Sequence, residues 1–271
     1  MPAYFEMERD IDNVFTVMPH HNNVCAPHFH SNIEVVHVMG GELKTTINGE
    51  TQLLSDGWTS IAGSYDVHTY ETPEYSDTRI LIIPMDSVSR YNNLMQTSCF
   101  KNHFLEPGSY NEALRAAIKE LEPYSGKKNC LVSVGYLYVI LGILTSKLGI
   151  KPIDKDAGSA SLIRHVLFYI ERHYLEPLTL SDIAVKFGYN KCYMSRLFNS
   201  MLGCGFNKYI NTLRVRHAAQ LIRNTDSSLD DISYQSGFQS VRNLNRYFKD
   251  YYQTTPKEYR NLERAGMLSE K

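Results

Sequence analysis

Gly237 to Arg260 reads GFQSVRNLNRYFKDYYQTTPKEYR, and this stretch decides the fold of its half of the chain. Leu244, Tyr247 and Phe248 recur at the three- and four-residue spacing of one helix face, and Val241, Arg242, Asn245 and Arg246 fall on the other. Just upstream, Asp230-Asp231-Ile232-Ser233 leads into Gly237-Phe238. The same order occurs 49 residues earlier, where Ser181-Asp182-Ile183-Ala184 leads into Gly188-Tyr189. Beyond the glycine, Met194-Ser195-Arg196-Leu197-Phe198 is echoed by Leu244-Asn245-Arg246-Tyr247-Phe248 at an offset of 50. Two copies of a short helix, a glycine turn and a second helix with a basic face predict two helix-turn-helix units.

Each copy has the parts of a groove reader. Ser181 and Asp230 stand where a side-chain oxygen is expected to cap the first helix, and Ala184 and Ser233 are small enough for two helices to cross closely. Gly188 and Gly237 permit a left-handed turn. On the first copy Lys191, Cys192, Ser195 and Arg196 point outward, with Met194, Leu197 and Phe198 inward; on the second Val241, Arg242, Asn245 and Arg246 point outward. Arginine can fork onto guanine O6 and N7, asparagine onto adenine N6 and N7, and Cys192 or Val241 can touch a thymine methyl. Any one of these arginines could instead contact phosphate or solvent alone.

Charge supports the same division of labour. The 271 residues carry a formal net charge of -1, which on its own argues against a polyanion partner. Residues 1–154 hold 11 Lys/Arg against 18 Asp/Glu, however, and residues 155–271 hold 17 against 11. A basic half joined to an acidic half is the asymmetry expected when one domain meets nucleic acid. Hydrophobic residues make up 43% and charged residues 21%, which excludes a disordered chain.

Five scattered cysteines (Cys25, Cys99, Cys130, Cys192, Cys204) form no C-x-x-C pair, which speaks against a disulfide framework or zinc ribbon and for a reducing compartment. The first residues carry Glu6, Glu8, Asp10 and Asp12 where a signal peptide needs a basic start, so a cytoplasmic protein is expected. Leu131 to Leu144 (LVSVGYLYVILGIL) falls short of the roughly 20 apolar residues of a membrane span, so no membrane partner is expected. A core or subunit-interface helix is.

From Asn13 to about Pro84 short β-type runs alternate with turns. Ile33 to Val38 precedes Gly40-Gly41; Lys44 to Ile47 leads to the type I′ signal Asn48-Gly49; Thr51 to Leu54, Trp58 to Ala62 and Arg79 to Ile83 follow. This predicts an antiparallel barrel or jelly roll. After Pro107-Gly108, Ala113, Leu114, Ala117, Ile118 and Leu121 mark one helix and Leu131 to Leu148 a second. Lys151 to Ser161 (KPIDKDAGSAS) reads as a linker. Within the barrel, His28, His30 and Glu34 form H-x-H-x-x-x-E, and on a regular strand all three share one face; His68 lies further on.

Ser161 to about Leu262 resembles the DNA-binding domain of the AraC/XylS family of bacterial transcription regulators, and Gly237 to Arg260 is similar to that family's signature almost position for position. The resemblance implies a long helix from Phe206 to about Arg223 between two units whose recognition helices enter successive major grooves. It places base contacts at Cys192, Ser195, Arg196, Val241, Arg242, Asn245 and Arg246. Where the family often has Trp or Gln, this chain has Cys192 and Ser195, which implies weaker readout by the first unit. The N-terminal pattern resembles the two cupin motifs, in which two His, a Glu and a distant His bind a transition metal. Gly63, Tyr65 and Thr72 stand where that pattern has Pro, Gly and Asn.

Three readings of the His cluster stay open: a metal site of His28, His30, Glu34 and His68; an effector pocket in which those groups are joined by Trp58, Tyr65 and Tyr70 as aromatic walls; or structurally satisfied histidines. The expected architecture has two domains: an N-terminal all-β cupin-like barrel (1–107), a helical dimerisation segment (108–150), a linker (151–161), an all-α domain with two helix-turn-helix motifs (162–262) and a tail (263–271). The resemblance implies a non-enzymatic, homodimeric regulator of promoter DNA that senses a small molecule, commonly a sugar or related metabolite, and meets RNA polymerase if it activates. No cofactor is required on this reading; a divalent transition metal in the barrel is the one candidate. The alternatives are a cupin metalloenzyme with an accessory helical domain, and a constitutive DNA binder whose barrel only dimerises.

Overall fold

The computed structural model describes residues 3–6, 14–127, 130–153 and 158–265, with the side chains of 158–161 excepted. The chain divides into two units, Met1–Lys155 and Asp156–Lys271.

The first unit is built on two five-stranded sheets. One has the order β1 (Tyr4–Phe5), β3 (Cys25–Phe29), β8 (His68–Glu71), β5 (Leu43–Ile47), β6 (Glu50–Leu54). The other has the order β11 (Phe104–Leu105), β7 (Thr59–Ala62), β4 (Ile33–Gly41), β9 (Ser76–Ile83), β2 (Thr16–His21). Alternation puts Val36, Val38, Ala62, Ile80 and Ile82 of the second sheet in one buried cluster with Leu43, Ile47, Leu54 and Tyr70 of the first, so the two sheets close face to face around a common core. The β5–β6 hairpin turns at Asn48 and Gly49, both with positive φ (50° and 88°), as a type I′ turn demands.

β4 has two working faces. Its Glu34, Val36 and Val38 point between the sheets, and the intervening His37 points outward to helix α2 (Asn111–Leu121), where Arg115 Nε donates to His37 Nε2 at 3.3 Å. Helix α3 (Leu131–Leu148) packs on α2, buries Leu137, Ile140, Leu141 and Leu144, and leaves Leu131, Val132 and Val139 exposed. It is long and apolar enough to cross a membrane by length and composition, although its buried face is spent on the unit's own core.

The N-terminal β architecture is as expected, with one short insertion: Pro84 ends β9 and helix α1 (Ser89–Met95) follows before β10 (Ser98–Phe100). The linker is shorter than the expected Lys151 to Ser161. Lys151 and Pro152 belong to β12 (Ile150–Pro152), which pairs with β10, and helix α4 (Gly158–His173) has begun by Gly158; residues 154–157 lie outside the described set. Ladder pairing with β10 offsets the weak strand preference of this Pro-containing stretch.

The second unit is all helical: α4, α5 (Leu180–Phe187), α6 (Lys191–Leu202), α7 (Phe206–Asn224), α8 (Leu229–Gln235), α9 (Val241–Tyr252) and α10 (Pro256–Arg264). The repeat covers three helices, one more than expected: α5–α6–α7 is matched by α8–α9–α10. Phe198 and Tyr209 meet edge-on with centroids 6.3 Å apart, and their counterparts 50 residues on, Phe248 and Tyr259, at 5.3 Å. The long α7 serves both copies, because beyond Tyr209 it supplies Val215, Ala218, Ala219 and Ile222 to the core of the second.

Candidate functional site

The paired helices are set by local chemistry. The first-helix caps lie two residues before the expected Ser181 and Asp230, a correction that follows from which backbone N–H is left free. Thr179 accepts from the Asp182 N–H while Asp182 accepts from the Thr179 N–H at 2.8 Å, and Ser228 accepts from the Asp231 N–H at 3.1 Å. Ser181 and Asp230 sit inside the first turn. Gly188 and Gly237 have φ of 75° and 78°, the left-handed turn expected of them. At Gly237 a Cβ would stand 2.9 Å from the Leu175 carbonyl oxygen, so both conformation and contact demand glycine there. The second recognition helix carries an extra turn residue, Gln239, before its cap: α6 is capped by Asn190 and α9 by Ser240.

These caps orient the outward residues. Met194, Leu197 and Phe198 of α6 and Leu244 and Phe248 of α9 are buried, while Lys191, Cys192, Arg196, Arg242, Asn245 and Arg246 are exposed and Ser195 and Val241 half-buried. Tyr247, expected inward, is half-buried and stacks on Phe238, and the Arg246 guanidinium lies 4.6 Å from its ring centroid. Other basic residues of this unit hold the fold. Arg214 donates to the Tyr174 and Glu176 carbonyls, Arg223 to the Tyr259 hydroxyl, and Arg260 to the Ser227 carbonyl. Lys191, Arg196, Arg242, Arg246 and Lys249 are left exposed on the two recognition helices, available to a polyanion.

In the first unit, His28, His30, Glu34 and His68 come together, all buried, with one ligand atom from each lying within 4.8 Å of every other. They do so by a different route from the one expected. His28 to Glu34 is not one regular strand: β3 ends at Phe29, residues 30–32 turn, and β4 starts in the other sheet. The turn folds His30 back onto Glu34, with Nε2 3.2 Å from Oε2, and β3–β8 pairing sets His28 opposite His68. The bend is tolerated because Tyr65, at φ 64°, lets its N–H reach the His30 carbonyl at 2.8 Å; this is the position where the cupin pattern has glycine. Asp66 secures the same loop through the Gly63 N–H at 2.7 Å and the Asn48 amide at 2.9 Å.

The imidazoles are oriented alike. Nδ1 of His28, His30 and His68 lies 2.9, 3.1 and 2.8 Å from the carbonyl oxygens of Ala26, Asn32 and Asp66. A carbonyl can only accept, so each Nδ1 carries a hydrogen, which leaves Nε2 of His30 and of His68 facing the Glu34 carboxylate at 3.2 and 3.6 Å. Burial, with the neighbouring His68, depresses His28 to a pKa of about 4. Burial opposes charge on Glu34 and His68 too, but their mutual attraction prevails, holding the Glu34 carboxyl well below its usual range and raising His68. Three imidazoles and a carboxylate with backbone-fixed tautomers fit a first-row divalent ion such as Fe, Mn, Ni or Zn. Two donors of one such ion stand at most about 4.2 Å apart, so the cluster needs a contraction of about half an ångström.

The remaining candidates fall nearby. Tyr70 is buried in the inter-sheet core with its ring 5.8 Å from His68; Trp58 packs against the same core; Tyr65 is buried in the loop before β8. Sequence reasoning missed Glu6, counted there only as an acid at the N-terminus; its Oε2 is 3.5 Å from His28 Nε2. It also missed His37, fixed between Thr59 Oγ1 at 2.8 Å and Arg115, which in turn pairs with Asp56.

Comparison with known proteins matches two family models: an AraC-like ligand binding domain over residues 18–134 and a helix-turn-helix domain over residues 183–262. An uncharacterized HTH-type transcriptional regulator of Staphylococcus aureus (strain COL) is 38% identical over 98 residues, which are 36% of this chain and 13% of that protein. The chain thus spans about an eighth of the length of the curated relatives it matches first. The HTH-type transcriptional activator RhaS of Escherichia coli O81 (strain ED1a) is 24% identical over 250 residues, 89% of each chain. Among solved structures, a transcriptional regulator from Chromobacterium violaceum, described as having an AraC-type DNA-binding domain, is 30% identical with a TM-score of 0.37, over 40% of this chain and 96% of that one.

Proposed function

This chain belongs to the AraC-type regulators, having an AraC-like ligand-binding domain and a helix-turn-helix domain, and from that premise we propose that it is a cytoplasmic, non-enzymatic transcription regulator whose binding to promoter DNA is set by a small molecule in the barrel. The observation that carries the reading is the duplicated three-helix unit. It spends Arg214, Arg223 and Arg260 on its own scaffold yet leaves Lys191, Arg196, Arg242, Asn245 and Arg246 exposed on two capped helices. Those side chains suit base edges and phosphates, with Cys192, Ser195 and Val241 adding apolar or permissive contacts.

The effector on this reading is an oxygen-rich metabolite of the sugar class, received at the His/Glu end where His28, His30, Glu34 and His68 offer hydrogen bonds. To change DNA affinity it must interact differently with two states of the protein. β4 supports such coupling: Glu34 lies on one of its faces, and His37, bound to Arg115 of α2, on the other. The exposed stripe Leu131, Val132 and Val139 on α3 fits a second copy of the chain, which would make the regulator a homodimer.

In vitro selection from a random duplex library tests the reading. The expected product is a bipartite site with centres about 10–10.5 bp apart, bound with an affinity that falls steeply with salt. Arg246→Ala should cost about 1–3 kcal/mol at one base position. A uniform loss over all sequences would assign Arg246 to phosphate, and an affinity flat from low to physiological salt would refute the reading.

A further inference from the structure

The two helical copies share more than α7. In the first, Arg214 of α7 reaches back to the loop that joins α4 to α5: Nε donates to the Tyr174 carbonyl at 2.6 Å and Nη2 to the Glu176 carbonyl at 2.8 Å. The second copy lands on this bracket. A Cβ at Gly237, in the turn between α8 and α9, would stand 2.9 Å from both Arg214 Nε and the Leu175 carbonyl oxygen, and 3.0 Å from Leu175 Cα. Burial lowers the pKa of Arg214, and the neighbouring Tyr247 of α9 raises it. Tyr247 in turn stacks at 6.0 Å and 24° on Phe238, the residue after Gly237.

The repeat makes the contact stand out. Gly188 occupies the place of Gly237 in the first copy, with φ of 75° against 78°, yet a Cβ there would meet nothing within 4 Å among the described residues. Arg264, 50 residues after Arg214, likewise brackets the loop before its own copy's first helix by pairing with Asp226. That pair lies open, with side chains 62% and 94% exposed. A contact made by one copy and missing from the other belongs to the junction between copies rather than to the motif. The junction matters because α7, at 19 residues, is long enough to curve, so a second contact is what resists bending between the two cores it serves. Two bonds from a guanidinium to backbone carbonyls are charge-assisted and geometrically specific.

We propose that the Arg214 bracket, with the Gly237 turn seated on it, locks the angle between α6 and α9, so that Arg214 acts as a positioning residue for the spacing of two DNA half-sites. The proposal rests on α6 and α9 being DNA readers. It gives Gly237 a second reason to lack a side chain, beyond its φ.

The test uses the full chain and duplexes that carry the selected bipartite site with its halves moved together or apart by one and two base pairs. Each base pair turns one half-site by about 35° around the duplex, so locked helices should favour one spacing sharply. Arg214→Met keeps the aliphatic stem and removes both donors. It should retain wild-type affinity for a duplex with a single half-site, while the ratio of affinities between the matched spacing and one base pair off falls about tenfold. Gly237→Asn, a residue that tolerates positive φ but pushes a Cβ into the bracket, should shift or flatten the same profile, and Gly188→Asn should leave it as in wild type. The asparagine pair carries the test if Arg214→Met does not fold. A parallel loss at every spacing overturns the proposal, making Arg214 a matter of stability alone, and a flat wild-type profile overturns it as well. A sharp wild-type profile unchanged in Arg214→Met and Gly237→Asn sinks the junction and spares the DNA reader. A wild-type chain that selects no bipartite site sinks the reader itself.

Discussion

His37 is fully buried, and its tautomer is dictated by its neighbours: Arg115 Nε donates to Nε2, so Nδ1 carries the hydrogen that goes to Thr59. Burial, then the charges of Arg115 and Arg79, push its pKa down to about 4 against the opposing pull of Asp56. A histidine depressed in the folded state takes up its proton more readily when unfolded, so its contribution is complete above about pH 6.5 and is lost as pH falls toward 4. A shift of this size corresponds to about 3 kcal/mol. Urea unfolding between pH 7 and 4 should therefore show a loss of stability that is smaller by that order in His37→Gln, which still hydrogen-bonds but does not titrate. Parallel pH curves for the two proteins would contradict this account. Tyr65 is read at the same scale: its positive φ could not be foreseen from a tyrosine, and only its place in the His30 turn explains it.

At the scale of elements, the recognition helices are aimed by their caps and turns. Thr179 and Ser228 each accept a first-turn N–H, so Thr179→Ala and Ser228→Ala should each lower stability by about 1 kcal/mol. Ser181→Ala should be close to neutral, since its hydroxyl lies past the cap. Thermal melts of the three variants decide the assignment: a larger loss at Ser181 than at Thr179 would restore the expected cap. The misplacement has a simple origin. Ser181-Asp182 and Asp230-Asp231 both look like cap clusters, and a sequence window does not say which backbone N–H starts the helix. The third helix of the repeat was legible in principle, since Tyr209 and Tyr259 share the offset of 50, but Gly205-Phe206 and Thr255-Pro256 open their helices with unlike residues.

At the scale of the whole molecule, the apolar face of α3 bears on assembly. Val139 is 47% exposed and Leu131 92%, which a monomer does not need for its own core. Val139→Asp should shift the sedimentation coefficient from dimer to monomer without lowering the melting temperature of the barrel. A wild-type chain that sediments as a monomer at micromolar concentration would remove the dimer from the proposed function. The charge division acts at this scale as well. The near-neutral total averages an acidic ligand-binding half and a basic helical half, and much of the basic excess serves hydrogen bonds such as those of Arg214 and Arg223.

The sequence by itself determined the two-part plan, the helical duplication, the outward faces of α6 and α9, the Asn48-Gly49 hairpin and the span of α3. Each is written in periodicity or in the backbone demands of a few residues, which act over one or two turns of chain. The tertiary structure alone decided how His28, His30, Glu34 and His68 meet, because they come from different sheets across a turn rather than from one strand. It alone brought in Glu6 and tied His37 to Arg115, since contacts between residues far apart in the chain depend on how sheets and helices pack and leave no local period to read.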